Sequence, residues 1–228
     1  MTAGAEAEAQ PLGLDLWQWR LAGGDASDLS ADEQARAARF VFDRDRARYI
    51  AGRAALRRVL GRCLDLAPRE IRFRYGAFGR PLVAGLSFNL SHTGDFAALV
   101  VTTVPNLPLG IDIETVAPIE MAVAEAHFAA TEIATLRALP DVGQQAAFYR
   151  CWTRKEAYLK AVGTGLSTDL SSFCVTLAPD DPPRLLSCAG DAPGHWTLLD
   201  LATPEGIAGA LAIRNCGRPI GLRLRGAP

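Results

Sequence analysis

Lysine is nearly missing from this chain. Of 24 basic residues only Lys155 and Lys160 are lysines, and the other 22 are arginines. Two lysines five positions apart suit a place that needs a compact ammonium point charge instead of a planar fork; chance clustering is the alternative. Net charge is nearly absent too, at −1, which gives no reason to expect nucleic acid or an anionic membrane as partner. No apolar run approaches the roughly 18–20 residues that a membrane span needs. The five cysteines (Cys63, Cys151, Cys174, Cys188, Cys216) are odd in number and form no CxxC pair. That excludes a disulfide frame or thiolate zinc site and fits a reduced, cytoplasmic protein. The stretch Met1 to Pro11 has neither a basic n-region nor an apolar h-region, so no signal peptide is expected. With no GxSxG elbow a serine-hydrolase reading falls away. The lack of GxxxxGK[ST] lowers, without removing, an unrelated Mg²⁺-dependent phosphoryl or nucleotidyl transferase.

What is present is a chain of 228 residues, 49% apolar, enough for one large domain or two of about a hundred residues. Leu12 to Trp19 alternates like a strand. Ser30 and Glu33 form a capping box that opens a helix to about Val41, and a second helix runs from Asp43 to about Leu64. Both carry many arginines, among them Arg36, Arg39, Arg48, Arg53 and Arg57, which form a solvated face or, in part, an anion site. Ile71 to Tyr75 alternates again, and Gly76 to Pro81 reads as a turn whose glycines let the backbone approach a ligand. Ser87 to His92 and Phe96 to Thr103 read as two strands. Ser91-His92 beside a glycine turn offers hydroxyl, imidazole and backbone donors to a phosphate, or only a strand end. The second half has helices over 120–129, 131–139 and 144–162, then short strands at 173–177, 195–201, 206–213 and 220–224. It repeats the helix-on-small-sheet plan of the first half, so the fold class is α+β with a duplicated architecture.

Leu109-Gly110-Ile111-Asp112-Ile113-Glu114 stands between the halves. Its period of two sends Ile111 and Ile113 to one face and Asp112 and Glu114 to the other. Two carboxylates side by side repel unless a cation lies between them, and Mg²⁺ is the natural one; a half-exposed strand with an acidic face is the alternative. On the long helix, Trp152, Glu156 and Lys160 fall at i, i+4 and i+8 on one face. Glu156 then sits beside the core as a third carboxylate, or Glu156 and Lys160 are an ordinary helix ion pair. Glu132, in the first turn of its helix, complements the helix dipole. Three acids with lysines beside them suit a metal-assisted site for a polyphosphate, because lysine takes up charge from a leaving phosphate.

The ordered set Phe78-Gly79-Arg80-Pro81, Phe88-Asn89-Leu90-Ser91-His92, Gly110-Ile111-Asp112-Ile113-Glu114 and Trp152 to Gly163 resembles the 4'-phosphopantetheinyl transferases, nearest to their Sfp-like single-chain type, over nearly the whole chain. The resemblance implies two pseudo-twofold halves, each a small antiparallel sheet with helices, and a coenzyme A cleft between them. The division implied is 1–107, on the 3'-phosphate and adenine side, and 108–228, with the metal-binding strand, the catalytic helix and the carrier-protein side. It implies Asp112, Glu114 and Glu156 as Mg²⁺ ligands, with Mn²⁺ left open. Arg36, Arg80, Ser91 and His92 belong around the 3'-phosphate and adenine, Phe78, Gly79 and Pro81 also bind coenzyme A, Lys155 and Lys160 lie at the pyrophosphate, and Glu132 or Glu156 is the base. The reaction implied moves phosphopantetheine from coenzyme A to a serine of an apo acyl or peptidyl carrier protein and releases 3',5'-ADP. A monomer is expected, with no nucleic acid and no membrane. Glu33 departs from the pattern, standing where relatives carry a second cation; this implies weaker discrimination against 3'-dephospho-coenzyme A unless Arg39 or an arginine of the second helix substitutes. A non-catalytic relative that binds carrier or coenzyme A is the rival, disfavoured by the intact acids and lysines.

Overall fold

The computed structural model describes residues 10–76, 78–165 and 168–228; the N-terminal stretch up to Ala9 and Ala77 of the expected turn lie outside them. The first half holds β1 (Leu12–Arg20), α1 (Ala31–Ala37), α2 (Asp43–Leu64), β2 (Arg74–Tyr75), β3 (Pro81–Leu82), β4 (Ser87–Thr93) and β5 (Phe96–Thr102). The second holds β6 (Leu109–Thr115), α3 (Met121–His127), α4 (Ala130–Ala138), α5 (Asp141–Val162), β7 (Cys174–Val175), β8 (Leu185–Ser187), β9 (Trp196–Asp200), β10 (Ile207–Arg214) and β11 (Ile220–Leu224).

Two sheets carry the fold, in the orders β11-β1-β5-β4 and β6-β10-β9. A strand that reads as an unbroken apolar run is buried on both faces, and β5 is buried along its whole length. Its Ala97, Leu99 and Val101 meet Leu56, Val59 and Leu60 of α2 together with Trp17 and Trp19. Its Phe96, Ala98 and Val100 join Leu14 and Leu16 in a layer shared with Ile111, Ile113, Leu211 and Ile213 of the second sheet. The other face of that second sheet, through Ala210 and Ala212, packs on Phe148, Cys151, Ala157 and Ala161 of α5. A 22-residue helix thus backs each sheet, and the sheets meet through apolar side chains each worth about 1.5–3 kcal/mol when fully buried.

The period-two expectation for β6 holds: its isoleucines enter the layer between the sheets and its acids turn toward α5. Some boundaries differ from expectation. The first helix stops at Ala37, and only Arg74–Tyr75 of 71–75 pairs as a strand. The carbonyls of Pro68 and Ile71 instead accept from Arg57 Nη1 at 2.8 and 3.1 Å. The last strand crosses back: β11 pairs in parallel with β1, from Leu12 opposite Ile220 to Leu16 opposite Leu224. It adds one parallel pair to an otherwise antiparallel sheet. Among the described residues no helix is long and apolar enough to cross a membrane.

Candidate functional site

The two sheets also meet edge to edge, and this seam builds the site. An edge strand leaves backbone N–H groups that need acceptors. Side chains from β4 supply them to β6. Leu107 N donates to Ser87 Oγ at 2.8 Å, Ile111 N to Asn89 Oδ1 at 2.8 Å, Ile113 N to Ser91 Oγ at 3.3 Å and Thr115 N to Thr93 Oγ1 at 3.0 Å. The polar residues at every second position of Ser87 to Thr93 therefore form a side-chain ladder. It holds the two sheets a side chain apart, and the acids of β6 lie along that gap.

Gly110 sets how closely α5 approaches β6. A Cβ there would fall on the Ala157 carbonyl oxygen and the Ala161 nitrogen, and 2.8 Å from the Lys160 Cβ. With only hydrogen at Gly110, the helix backbone rests on the strand, and Glu156 and Lys160 come down beside Asp112. Lys160 Nζ donates to Asp112 Oδ1 at 2.6 Å and to Ser91 Oγ at 3.1 Å. Ser91 Oγ also lies 3.1 Å from Asp112 Oδ1. Asp112 is 2% exposed, and its Oδ2 is buried with no partner among the described residues. Burial, and after it the charge of Asp112, push the carboxyls of both Glu114 and Glu156 above the ordinary range. Asp112 thus acts on both glutamates. Phe148 stacks on Trp152 at 5.8 Å, which seats Glu156 next to the core as its spacing predicts.

This donor set fits a divalent cation. Among the described residues no three His, Cys, Asp or Glu side chains gather closely enough to hold a metal unaided. Mg²⁺ does not ask for that: it takes one or two carboxylates and completes its shell with water and substrate phosphates. The orphaned Asp112 oxygen is a buried anionic acceptor awaiting a partner.

Lys155 and Glu132, expected at the pyrophosphate and as base, pair with each other and not with the acid cluster. Lys155 is 0% exposed and donates to the carbonyls of Leu170 at 2.7 Å and Phe173 at 2.5 Å. It also pairs with Glu132 Oε2 at 2.8 Å. Glu132, 2% exposed, accepts from Ala129 N and Val175 N, each at 2.8 Å. A base needs a lone pair facing its substrate, and both oxygens here are spent on the protein. The pair ties α4, α5 and β7 together. Helix geometry carried the signal: five residues is about 140° of rotation, so Lys155 and Lys160 cannot share a face.

Arg80, expected beside the 3'-phosphate, meets backbone carbonyls, while its buried Nε has no partner among the described residues. Its guanidinium donates to the carbonyls of Lys160 at 2.6 Å, Leu109 at 2.9 Å and Phe88 at 3.3 Å. It caps the Lys160 carbonyl in the last turn of α5, where a cation complements the helix dipole, and it binds α5, β4 and β6 at one point. Phe78 packs against Gly165, where an added Cβ would lie 3.5 Å from its ring. Ser91 joins the acid cluster through Asp112 and Lys160.

Arg36, Gly79, Pro81 and His92 do come together. They line a cavity of about 610 Å³ with Arg48, Tyr49, Arg53 and Tyr75. Arg48 and Arg53 are the second-helix arginines at this cavity, where the sequence offers an anion site without singling out a residue. Positions 48, 49, 52 and 53 follow helical spacing on one side of α2, which was the available signal. Glu33 is explained here. It accepts from Arg53 Nε at 2.7 Å and Arg57 Nε at 2.5 Å, and from Ser30 N at 3.2 Å. Burial would raise its carboxyl, but Arg57 and Arg53 outweigh that and hold it below the ordinary range. It anchors Arg53 at the cavity wall.

Comparison with known proteins matches both halves. Residues 18–104 fit the family model described as 4'-phosphopantetheinyl transferase, N-terminal, and residues 108–212 the one described as 4'-phosphopantetheinyl transferase superfamily. The 4'-phosphopantetheinyl transferase HetI of a Nostoc species is 38% identical over 84% of this chain and 81% of its own length. The 4'-phosphopantetheinyl transferase psf-1 of Bacillus pumilus is 37% identical over 72% of this chain and 71% of its own. The 4'-phosphopantetheinyl transferase Sfp of Bacillus subtilis is 34% identical over 68% and 69%. With matches of this extent across both halves, the chain belongs to the 4'-phosphopantetheinyl transferase superfamily, as an enzyme of that class.

Proposed function

We propose that the protein transfers 4'-phosphopantetheine from coenzyme A to a serine of an apo acyl or peptidyl carrier protein and releases 3',5'-ADP, with Mg²⁺ at Asp112, Glu114 and Glu156. The observation that supports this best is the orphaned, buried Asp112 oxygen beside Lys160 at the seam, with an arginine- and histidine-lined cavity in the adjoining half. A long polyanion with a nucleotide at one end suits both. Arg36, Arg48, Arg53 and His92 would take the nucleotide and its 3'-phosphate, since guanidinium groups bind phosphate bidentately. A metal held by the three acids would neutralise the pyrophosphate.

The carrier serine is a weak nucleophile and needs a base. Glu156 is the proposed acceptor of its proton, directly or through water, because Glu132 is fully engaged. The serine Oγ bonds to the β-phosphorus, the bridging P–O bond breaks, and the negative charge leaves on 3',5'-ADP. Lys160, with a long flexible stem, stabilises that leaving charge. The proposal includes action as a monomer in the cytoplasm. Incubation with coenzyme A, Mg²⁺ and an apo carrier should add the mass of one phosphopantetheinyl group to the carrier. No gain with several different carriers, or an undiminished gain with Asp112→Ala, would overturn it.

A further inference from the structure

We propose that Lys160 is the resident counter-ion of the acid cluster, holding Asp112 until a divalent cation joins the carboxylates and then releasing it to reach substrate phosphate. This rests on the metal-assisted transfer proposed above. The charge count supports it. Asp112, Glu114 and Glu156 are three acids, and with Lys155 locked onto Glu132, Lys160 is the lysine that remains to face them. Three carboxylates and one ammonium leave about two negative charges, the amount a divalent ion offsets.

The geometry separates a fixed anchor from a free arm. The Lys160 carbonyl is held by Arg80 at 2.6 Å, and the missing side chain of Gly110 seats its backbone on β6. The arm differs: the Lys160 side chain is 31% exposed, whereas that of its partner Asp112 is 3% exposed. Its ammonium can therefore turn out toward the cleft by side-chain rotation alone. A reason to turn exists, because Asp112 offers Oδ1 to the ammonium and Oδ2 to nothing among the described residues. A divalent ion at Oδ2 would set like charges on two oxygens of one carboxylate, and their repulsion favours the ammonium's departure to an incoming anion. An arginine could not exchange so simply, since its fork binds a carboxylate in two places.

The scarcity of lysine makes the test clean. Protein grown with ¹³Cε-labelled lysine gives two side-chain signals, assigned with Lys160→Arg, while Mn²⁺ binding to the same protein is followed by electron paramagnetic resonance. With Mg²⁺ and no coenzyme A, the Lys160 signal should shift and the Lys155 signal stay. Lys160→Gln should bind Mn²⁺ about tenfold more tightly than the unaltered protein, because a competing charge is gone. If Mn²⁺ binds but the Lys160 signal does not move, or Lys160→Gln leaves the affinity unchanged, the exchange is overturned and the metal-assisted transfer stands. If Mn²⁺ fails to bind with or without coenzyme A, or binds equally well to Asp112→Asn, the metal reading falls and the exchange with it.

Discussion

Lys155 and Lys160 lie five residues apart on α5, and each meets a buried carboxylate at hydrogen-bond distance, 2.8 Å to Glu132 and 2.6 Å to Asp112. In the first pair every polar atom is spent. Lys155 also donates to two carbonyls, and Glu132 accepts from two backbone N–H groups. In the second pair one carboxylate oxygen has no partner among the described residues, and the lysine side chain is partly exposed. A saturated pair holds a fold together, and an unsaturated one leaves capacity for a ligand. The difference teaches that a motif lysine is not assigned by its presence, but by what its neighbours leave unfilled.

The largest expected effect breaks the saturated pair. Lys155→Ala should destabilise the protein by about 3–5 kcal/mol, because Glu132 is left as an uncompensated buried charge. Lys160→Ala should destabilise it less, by about 1–3 kcal/mol, because buried Asp112 loses its ammonium but keeps the Ser91 hydroxyl; urea denaturation of both measures the contrast. Next, Asp112→Asn should lower the transfer rate at least about a hundredfold while the protein stays folded, in the range seen when one designed electrostatic contact is lost. Steady-state kinetics with near- and far-ultraviolet circular dichroism would separate rate from folding.

A smaller effect concerns pH. Glu114 and Glu156 are raised in the fold by burial and by Asp112. A carboxyl raised on folding favours the native state below its unfolded value, and that contribution is lost as pH rises through the folded value. In chelator-treated protein, Glu114→Gln should therefore raise the melting temperature by about 1–3 °C at neutral pH. The gain should shrink to nothing below about pH 4.5, where the unfolded carboxyl is itself protonated. The smallest effect is at the cavity: Arg48→Ala should raise KM for coenzyme A about tenfold with little change in kcat, as expected where a contact holds substrate and transition state alike.

Much of this was legible in the residues. Alternation in β6 and β4, the apolar run of β5 and the capping and glycine signals of the helices gave the order of elements, because those patterns are set by local geometry. The acid cluster was legible too, since period two and i, i+4 spacing place Asp112, Glu114, Glu156 and Lys160. What stayed hidden depends on contacts between distant segments. No local pattern shows that the Arg80 guanidinium meets the carbonyls of Phe88, Leu109 and Lys160. Nor does one show that Ser91 is part of the ladder that joins β4 to β6. The return of β11 to β1 is a pairing more than two hundred residues long in sequence, and no local pattern encodes it. The opposed faces of Lys155 and Lys160, by contrast, follow from helix rotation alone.

The most direct test compares the two lysine pairs by rate per folded molecule. Phosphopantetheine transfer to an apo carrier would be measured at a temperature where the double variant Lys155→Met/Glu132→Leu and Lys160→Gln are both folded. The double variant should keep the unaltered rate within about threefold, since both members of a structural pair are replaced together. Lys160→Gln should fall about a hundredfold. The reverse order, with Lys160→Gln near the unaltered rate and the double variant inactive though folded, would contradict the account.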